Sequence, residues 1–186
     1  MKQLFLERLQ EHLETVGALK EHGETFEAIA KCLSQAIRSG HKICFMGNGG
    51  SAADAQHLAA ELVGRFQRER RGLPSLALST DTSVLTAIGN DYGYDQIFAR
   101  QIESLCQPGD IVVGISTSGN SPNILLGIAR AKELGVHTVG LAGKDGGKLA
   151  QMADQCLTVP SSKAARTQEA HIFIGHCLCE AIENEM

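Results

Sequence analysis

The sequence predicts an α/β fold: a doubly wound, flavodoxin-like sheet of five parallel strands with helices on both faces. Two observations lead to this prediction. Short apolar runs alternate with helix-like segments over residues 42–184, which is the pattern of a parallel sheet that is buried on both faces. Residues 3–38, in contrast, contain no strand pattern and are predicted to form N-terminal helices.

Two amphipathic helices are predicted ahead of the first strand. Apolar side chains recur at helical spacing, first at Leu6, Leu9, Leu13 and Val16 and then at Phe26, Ile29, Ala30, Leu33 and Ile37. Gly23 separates the two helices, and Ser39-Gly40 ends the second. The stripe on the first helix would be an exposed apolar ridge if nothing covered it, so we expect it to be covered.

The strands follow in regular order. They are predicted at residues 42–47, 75–79, 111–116, 137–142 and 155–160. Helices are predicted after them, including residues 122–134, 148–153 and 164–184. In a sheet of this kind, ligands bind at the carboxyl ends of the strands, near the point where the strand order reverses.

Two polar loops occupy this predicted binding edge. The first strand ends in GNGGS at residues 47–51, and the third ends in STSGNS at residues 116–121; each loop opens a helix. The N–H groups and positive dipole end of a helix N-terminus suit an anion. Neither loop contains lysine or arginine, so a phosphate would be held mainly by neutral donors. A single loop of this kind could be merely a tight turn. Two such loops at equivalent strand ends favour a binding site for a phosphate-bearing ligand.

The glycine loop also matches a dinucleotide-binding fingerprint, because Gly47, Gly49 and Ala52 fit G-x-G-x-x-[GA]. That fingerprint requires an acidic residue about 20 residues further on. Here the second strand ends in Ser79 and Thr80 instead. The spacing therefore argues against a nicotinamide or flavin cofactor, and no Gly-Lys-Ser/Thr sequence follows to make a Walker A loop.

The composition excludes several classes of function. The formal charge is −4, and the one basic cluster, RERR at residues 68–71, is interpreted as a solvated helix end rather than a nucleic-acid patch. No apolar run approaches the roughly 20 residues of a membrane span. Five of the six cysteines lie in or beside apolar runs, so free thiols are expected rather than disulfides or zinc ligands. We expect a cytoplasmic protein with no nucleic-acid or membrane partner.

Two helices carry polar residues opposite their apolar stripes. Asp54, His57 and Glu61 share one face of the helix after Ser51, opposite a stripe formed by Ala55, Leu58, Ala59, Leu62, Val63 and Phe66. On the last helix, Gln168 and His176 lie off the stripe of Ala170, Phe173, Ile174, Cys177, Leu178 and Ala181. A surface ion pair or a structural histidine explains each residue taken alone, so the pattern leaves a structural and a functional role open. The remaining histidines, among them His171, are expected to be structural or at the surface.

Four segments carry a resemblance to a known family. GNGGSAADAQHLAAEL, GNDYGYDQIFARQ, GISTSGNSPN and RTQEAHIFIGH resemble, in order and spacing, signature segments of the phosphoheptose isomerases in the sugar isomerase (SIS) family. The resemblance extends over nearly the whole chain. It implies a single SIS domain over residues 1–186, with residues 1–40 as a helical oligomerisation segment of a homotetramer.

The resemblance also implies a reaction and a set of residues. The family isomerises sedoheptulose 7-phosphate to D-glycero-D-manno-heptose 7-phosphate through an enediol, for surface heptose. Glu61 matches its base and His176 its second acid/base group. One zinc ion per subunit, seen in some members, is implied on His57, Glu61, Gln168 and His176. The implied substrate contacts are Asn48, Gly49, Gly50, Ser51, Glu61, Asn90, Asp91, Ser116, Thr117, Ser118, Ser121 and Gln168.

The sequence departs from the family pattern in one segment, and one other function competes with the isomerase interpretation. Many relatives have VPSDDTARIQE before the last helix, whereas this chain has VPSSKAARTQE, so the contacts of residues 162–164 stay open. The rival is the DnaA initiator-associating protein, which shares the fold but acts as a binding scaffold at replication origins. That protein departs from GNGGS and lacks the glutamate matching Glu61. This chain has both, which favours the enzyme.

Overall fold

A five-stranded parallel sheet forms the centre of the molecule in a computed structural model that describes residues 1–186. The strands are β1 (Ile43–Gly47), β2 (Ser75–Ala77), β3 (Ile111–Ser116), β4 (His137–Gly143) and β5 (Gln155–Val159). Their order is β2-β1-β3-β4-β5, and every neighbouring pair is parallel. The predicted doubly wound order is therefore confirmed, and β1 and β3 lie side by side where the order reverses.

Eight α-helices surround the sheet. They are α1 (Lys2–Ala18), α2 (Gly23–Arg38), α3 (Gly50–Val63), α4 (Thr82–Tyr92), α5 (Ala99–Leu105), α6 (Pro122–Glu133), α7 (Gly147–Met152) and α8 (Ala164–Asn184). Single 3-10 turns at Leu19–His22 and Tyr94–Gln96 join α1 to α2 and α4 to α5. The two predicted N-terminal helices are present, although Gly23 begins α2 rather than standing between the helices.

Side chains of the strands alternate between two apolar layers. Ile43 and Phe45 point into a core shared with α2, α3 and α8. Cys44 and Met46 point into a second core shared with α5, α6 and α7. Because both faces are covered, all five residues of β1 are buried, and this is why the strands are continuous apolar runs in the sequence.

Helix α1 lies outside these two layers and packs on α8. Thr15 is its one buried residue. The predicted stripe is therefore open in the single chain, with Leu6 45%, Leu9 41% and Leu13 57% exposed. No helix of the molecule combines the length and the apolar character that a bilayer crossing requires.

Three residues assigned to apolar stripes depart from that assignment: Phe66 packs against the core from outside α3, and the other two are exposed. The chain leaves the helical conformation at Gly64, whose ψ angle is −106°, so Phe66 lies beyond α3. Val63 and Phe173 are exposed large apolar side chains. Helical periodicity identified most of the buried face correctly, but it carried the α3 stripe one turn too far.

Candidate active site

The two polar loops lie side by side at the carboxyl edge of the sheet. Gly47 of β1 is in register with Ile115 of β3, so the residues that follow the two strands are neighbours. Asn48 and Asn123 join the loops through two amide hydrogen bonds, each 2.8 Å long. The Tyr94 hydroxyl donates a third hydrogen bond to Asn48 Oδ1 at 3.3 Å. The predicted contact residue Asn48 is thus held in place by two residues that the sequence did not indicate.

Three serine hydroxyls gather in the loop after β3. Ser116 Oγ lies 3.0 Å from Ser121 Oγ and 3.5 Å from Ser118 Oγ. Ser118 Oγ also accepts a hydrogen bond from the Asn120 backbone N–H at 3.1 Å, and Thr117 between them is partly buried. Since a hydroxyl can turn its proton toward a ligand, the cluster offers several neutral donors to one anion.

The glycine loop opens α3 and meets the start of α8. Gly49 is the residue before α3, and Ser51 in its first turn is 3% exposed. A Cβ atom on Gly50 would lie only 2.8 Å from Gln168 Cδ, closer than carbon atoms approach without overlap. The glycine therefore allows the Gln168 side chain to lie against the loop.

Asn90 and Asp91 lie at the end of α4 and are exposed. Asn90 Nδ2 donates to Asp91 Oδ1 at 2.8 Å, and neither side chain hydrogen-bonds to the two loops in the single chain. The structure therefore does not bring these two predicted contact residues onto the loops, and their role stays a prediction.

His57, Glu61 and His176 form a compact cluster between α3 and α8. His57 Nε2 lies 3.2 Å from Glu61 Oε1 one turn later and 2.9 Å from His176 Nε2 on the neighbouring helix. Close helix packing makes this possible, because a Cβ atom on Gly175 would lie 2.5 Å from Leu58 Cδ2. The absence of that atom lets α8 approach α3 beside the two imidazoles.

The cluster has the chemistry and spacing of a metal site. One ligand atom from each of the three residues lies within 4.8 Å of the others. Imidazole nitrogen and carboxylate oxygen bind zinc at about 2.0–2.2 Å, which places tetrahedral ligand atoms roughly 3.3 Å apart. The observed separations of 2.9 and 3.2 Å are close to that value. The three residues therefore fit a divalent metal ion, with a coordination position left for a further ligand.

A second carboxyl group lies one turn before His57 on the same face of α3. Burial raises the pKa of Asp54 to about 6, and the positive charge of protonated His57 opposes this rise without cancelling it. Asp54 Oδ2 is buried and has no hydrogen-bond partner. The polar face predicted from the spacing of Asp54, His57 and Glu61 therefore exists, and its first member points inward.

Comparison with known proteins agrees with this geometry. A model of the SIS domain matches residues 5–143. The structure of the phosphoheptose isomerase from Neisseria gonorrhoeae superposes with a TM-score of 0.93, at 41% identity and over 98% of each chain. The phosphoheptose isomerase of Geotalea daltonii is 54% identical over 95% of this chain and 91% of its own.

This chain belongs to the phosphoheptose isomerase family. A further phosphoheptose isomerase, from Aliarcobacter butzleri, is 50% identical over the whole of this chain and 99% of its own. The match thus extends through α8, which carries Gln168 and His176. The three relatives named here carry the isomerase name and give no support to the initiator-associating alternative.

Proposed function

We infer that this protein interconverts sedoheptulose 7-phosphate and D-glycero-D-manno-heptose 7-phosphate, a precursor of the heptose of the lipopolysaccharide core. The observation that carries the inference is the cluster of His57, Glu61 and His176, two helical turns beyond the glycine loop. Seven residues of α3 separate Gly50 from His57, or about 10 Å along the axis, comparable to an extended seven-carbon chain ending in phosphate. Because sugar phosphates do not cross membranes unaided, the reaction belongs in the cytoplasm.

The two loops hold the phosphate end of the substrate in this proposal. Serine hydroxyls and backbone N–H groups supply neutral donors, and the α3 and α6 N-termini add their positive dipole ends. Asn90, Asp91 and Gln168 contact the sugar hydroxyls. The proposed binding residues are Asn48, Gly49, Gly50, Ser51, Glu61, Asn90, Asp91, Ser116, Thr117, Ser118, Ser121 and Gln168.

The isomerisation requires two proton-transferring groups at the other end of the sugar. The Glu61 carboxylate removes a proton from C1, and the C1–C2 double bond of an enediol forms as the C2 carbonyl is lost. His176 gives a proton to O2 and takes one from O1, which becomes the aldehyde oxygen. Glu61 then returns its proton to C2, so ketose and aldose differ only in where two hydrogen atoms and one double bond lie.

We also propose one zinc ion per subunit. His57, Glu61 and His176 would hold it, and Gln168 is the proposed fourth ligand. Such an ion supplies Lewis-acid polarisation of the substrate oxygens at C1 and C2. The donor types and spacing of the three clustered residues support this proposal.

Removing both imidazoles tests the metal site. We expect the His57→Ala, His176→Ala double variant to lose zinc, because a single carboxylate and an amide bind it weakly. Metal content after purification in zinc-containing buffer is the measurement. The matched control, His22→Ala with His137→Ala, removes two histidines far from the cluster and should keep the parent content. Undiminished zinc in the first variant would contradict the site.

Replacing the proposed base tests the reaction. Glu61→Gln keeps the size of the side chain but removes the basic oxygen, so we expect kcat to fall about 10²- to 10⁴-fold. KM should change far less, because the phosphate contacts are elsewhere. A Ser116→Ala, Ser118→Ala variant should instead raise KM. Turnover of sedoheptulose 7-phosphate and deuterium exchange at C1 are the measurements.

Two controls make this experiment decisive. Glu69→Gln changes an exposed carboxylate whose side chain is 90% accessible, and it should behave like the parent. If the Glu61→Gln variant exchanges deuterium at C1 and turns over sedoheptulose 7-phosphate at the parent rate, the base is another group. If the parent itself turns over no ketose phosphate, with or without zinc, a binding function replaces the enzymatic one.

A homotetramer completes the proposal, with residues 1–186 as one SIS domain and residues 1–40 as its oligomerisation segment. The open leucine stripe of α1 supports it, because monomeric proteins rarely expose such a ridge. Subunits that meet there would bring neighbouring side chains near the active sites.

A further inference from the structure

The chain between α3 and β2 has no regular secondary structure, yet one carboxylate fixes it. Glu183, near the end of α8, is 3% exposed. It accepts hydrogen bonds from the backbone N–H groups of Phe66, Gln67 and Arg68 at 2.8–3.1 Å, and from Arg70 Nε at 3.0 Å. A buried carboxylate is costly unless donors of this kind surround it. We call these five residues the Glu183 clamp.

The ionised form of Glu183 is the one that the clamp favours. Burial works to raise the pKa of Glu183, but the three backbone donors and the Arg70 charge outweigh it, and the pKa lies below its ordinary value. The carboxylate is therefore charged at neutral pH and holds all of its partners together.

Arg70 connects the clamp to the end of α3. Its guanidinium donates to the carbonyl oxygens of Leu62 at 2.9 Å and Arg71 at 3.0 Å, with a longer contact to Gly64 at 3.3 Å. It also donates to the backbone carbonyl of Glu61 at 3.0 Å. Helix ends leave such carbonyls unpaired. Arg70 therefore fixes the backbone of the residue that carries the proposed base.

Phe66 connects the clamp to the second acid/base group. Its ring stacks on His176, with centroids 5.5 Å apart and planes 27° apart, while its backbone N–H is held by Glu183. His57 contacts the same imidazole edge-on, with centroids 5.0 Å apart. Glu183 follows His176 by seven residues and so lies on the same face of α8. Helix α8 therefore holds Phe66 through Glu183, and the Phe66 ring in turn stacks on His176 of the same helix.

The Glu183 clamp contacts both of the proposed proton-transferring residues. It reaches the Glu61 backbone through Arg70 and the His176 ring through Phe66. We propose that Glu183 and Arg70 are positioning residues of the isomerase, which set the orientation of Glu61 and His176 without touching the substrate. The proposal rests on the proposed function, since it assumes that these two groups transfer the protons.

Two pairs of variants test the proposal. Glu183→Gln weakens the clamp, and Glu185→Gln, two residues later, is its control because Glu185 pairs only with Arg38 at the surface. Phe66→Leu removes the stack but leaves the clamp intact, and Phe66→Tyr restores an aromatic ring. We expect Glu183→Gln and Phe66→Leu to lower kcat about 10- to 100-fold, as small misplacements do, with KM changed less than about twofold. Phe66→Tyr should recover parent kcat.

A second readout does not depend on activity. The imidazole NMR signals of His176 should shift in Phe66→Leu, which removes the ring current, and should shift in the same direction in Glu183→Gln. If kcat stays at the parent value while only the melting temperature falls, the clamp is merely structural and the proposal is wrong. If the Glu183→Gln variant does not fold, the kcat and the His176 signals of Phe66→Leu decide whether the proposal holds. If the parent protein shows no turnover, the proposed function fails. If the His176 NMR signals do not shift in Phe66→Leu and Glu183→Gln, the positioning role is wrong whatever the activity of the parent.

Discussion

Asn123 illustrates how a buried polar residue can prepare a binding residue. It is 2% exposed and meets Asn48 amide to amide, so each side chain supplies one donor and one acceptor to the other. With the Tyr94 hydroxyl on Asn48 Oδ1, Asn48 retains one free N–H for a ligand. The pairing therefore restricts both the position of Asn48 and the hydrogen bond that it can still make.

Asn123→Ala should separate this role from simple packing. The change removes both amide hydrogen bonds of Asn48 and leaves only the contact with Tyr94. Such a loss typically costs about 1–3 kcal/mol, and it lets Asn48 turn away from the substrate. We expect a lower free energy of unfolding in urea together with a higher KM and a nearly unchanged kcat. Asn184→Ala, at an exposed position, is the control. An unchanged KM would mean that Asn48 needs no such support.

Sequence reasoning found the residues that local spacing reveals and missed those that tertiary contacts define. Local spacing placed His57 and Glu61 on one helix face and Gln168 and His176 off a stripe, and the family resemblance supplied the role that spacing left open. Asn123 was missed because its partner is 75 residues away and an asparagine at a helix start is ordinary.

Arg70 was missed for a similar reason. The sequence placed it in a solvated helix end, but α3 ends at Val63, and only the exposure of Arg68 and Arg71 agrees with that interpretation. The side chain of Arg70 is only 10% exposed because it pairs with Glu183, which lies at the far end of the chain. No local sequence pattern indicates an ion pair between two residues that are so far apart in the chain.

At the scale of elements, α8 combines a core face with a site face. His171 lies on the core face, fully buried, and neither ring nitrogen has a hydrogen-bond partner of good geometry. Burial lowers the pKa of His171 to about 4, and a weak contact with the backbone of Ala142 opposes this shift only in part. The expectation that this histidine is structural agrees with its position against β4.

His171 should make stability depend on pH. Below its ordinary pKa of about 6.5 the unfolded chain binds a proton, whereas the folded chain stays neutral until about pH 4. Stability therefore falls as the pH drops from 6.5 to 4 and loses no more from this residue below that. We expect a loss of about 2–3 kcal/mol, measured by urea unfolding at several pH values.

The control for this prediction is a second histidine. His171→Leu should remove this part of the pH dependence, whereas His22→Gln, at a partly exposed position, should retain it. Equal pH dependence in the parent and in His171→Leu would show that other groups are responsible.

Element boundaries were predictable where a strand or helix ends in solvent-facing turn residues. The bounds of β3 and α8 agree with the prediction. The second strand was predicted to reach Ser79 but ends at Ala77, where the Thr80 hydroxyl donates to the Ala77 carbonyl at 3.0 Å. A side chain that turns back on its own strand is not visible in apolar periodicity.

At the scale of the whole molecule, the main feature is apolar surface that the single chain leaves open. Leu6, Leu9 and Leu13 form the stripe on α1. Nearby, Val16 and Phe173 line an apolar cavity of about 420 Å³ between the α1–α2 junction and α8. Exposed apolar surface of this kind favours association.

Light scattering tests the proposed assembly. We expect a mass four times the 19.9 kDa of the chain at micromolar concentration. Leu9→Glu with Leu13→Glu should dissociate the particle without unfolding it, because both positions are exposed in the subunit, and activity should fall if neighbouring subunits complete the sites. Val63→Glu, at an exposed position outside α1, is the matched control. A monomeric parent with full activity would rule out the assembly.

The contact between Gly50 and Gln168 constrains the evolutionary paths open to this enzyme. Any side chain at residue 50 would displace the Gln168 amide from its present position, so a change of that glycine moves a proposed ligand. Shortening Gln168 first would make room but would remove a proposed contact to substrate and metal. Each single step therefore passes through a poorer enzyme, and the two positions should change together or stay fixed. A lineage that abandons the isomerase reaction is released from this restriction, so drift at this pair would mark the loss of the activity.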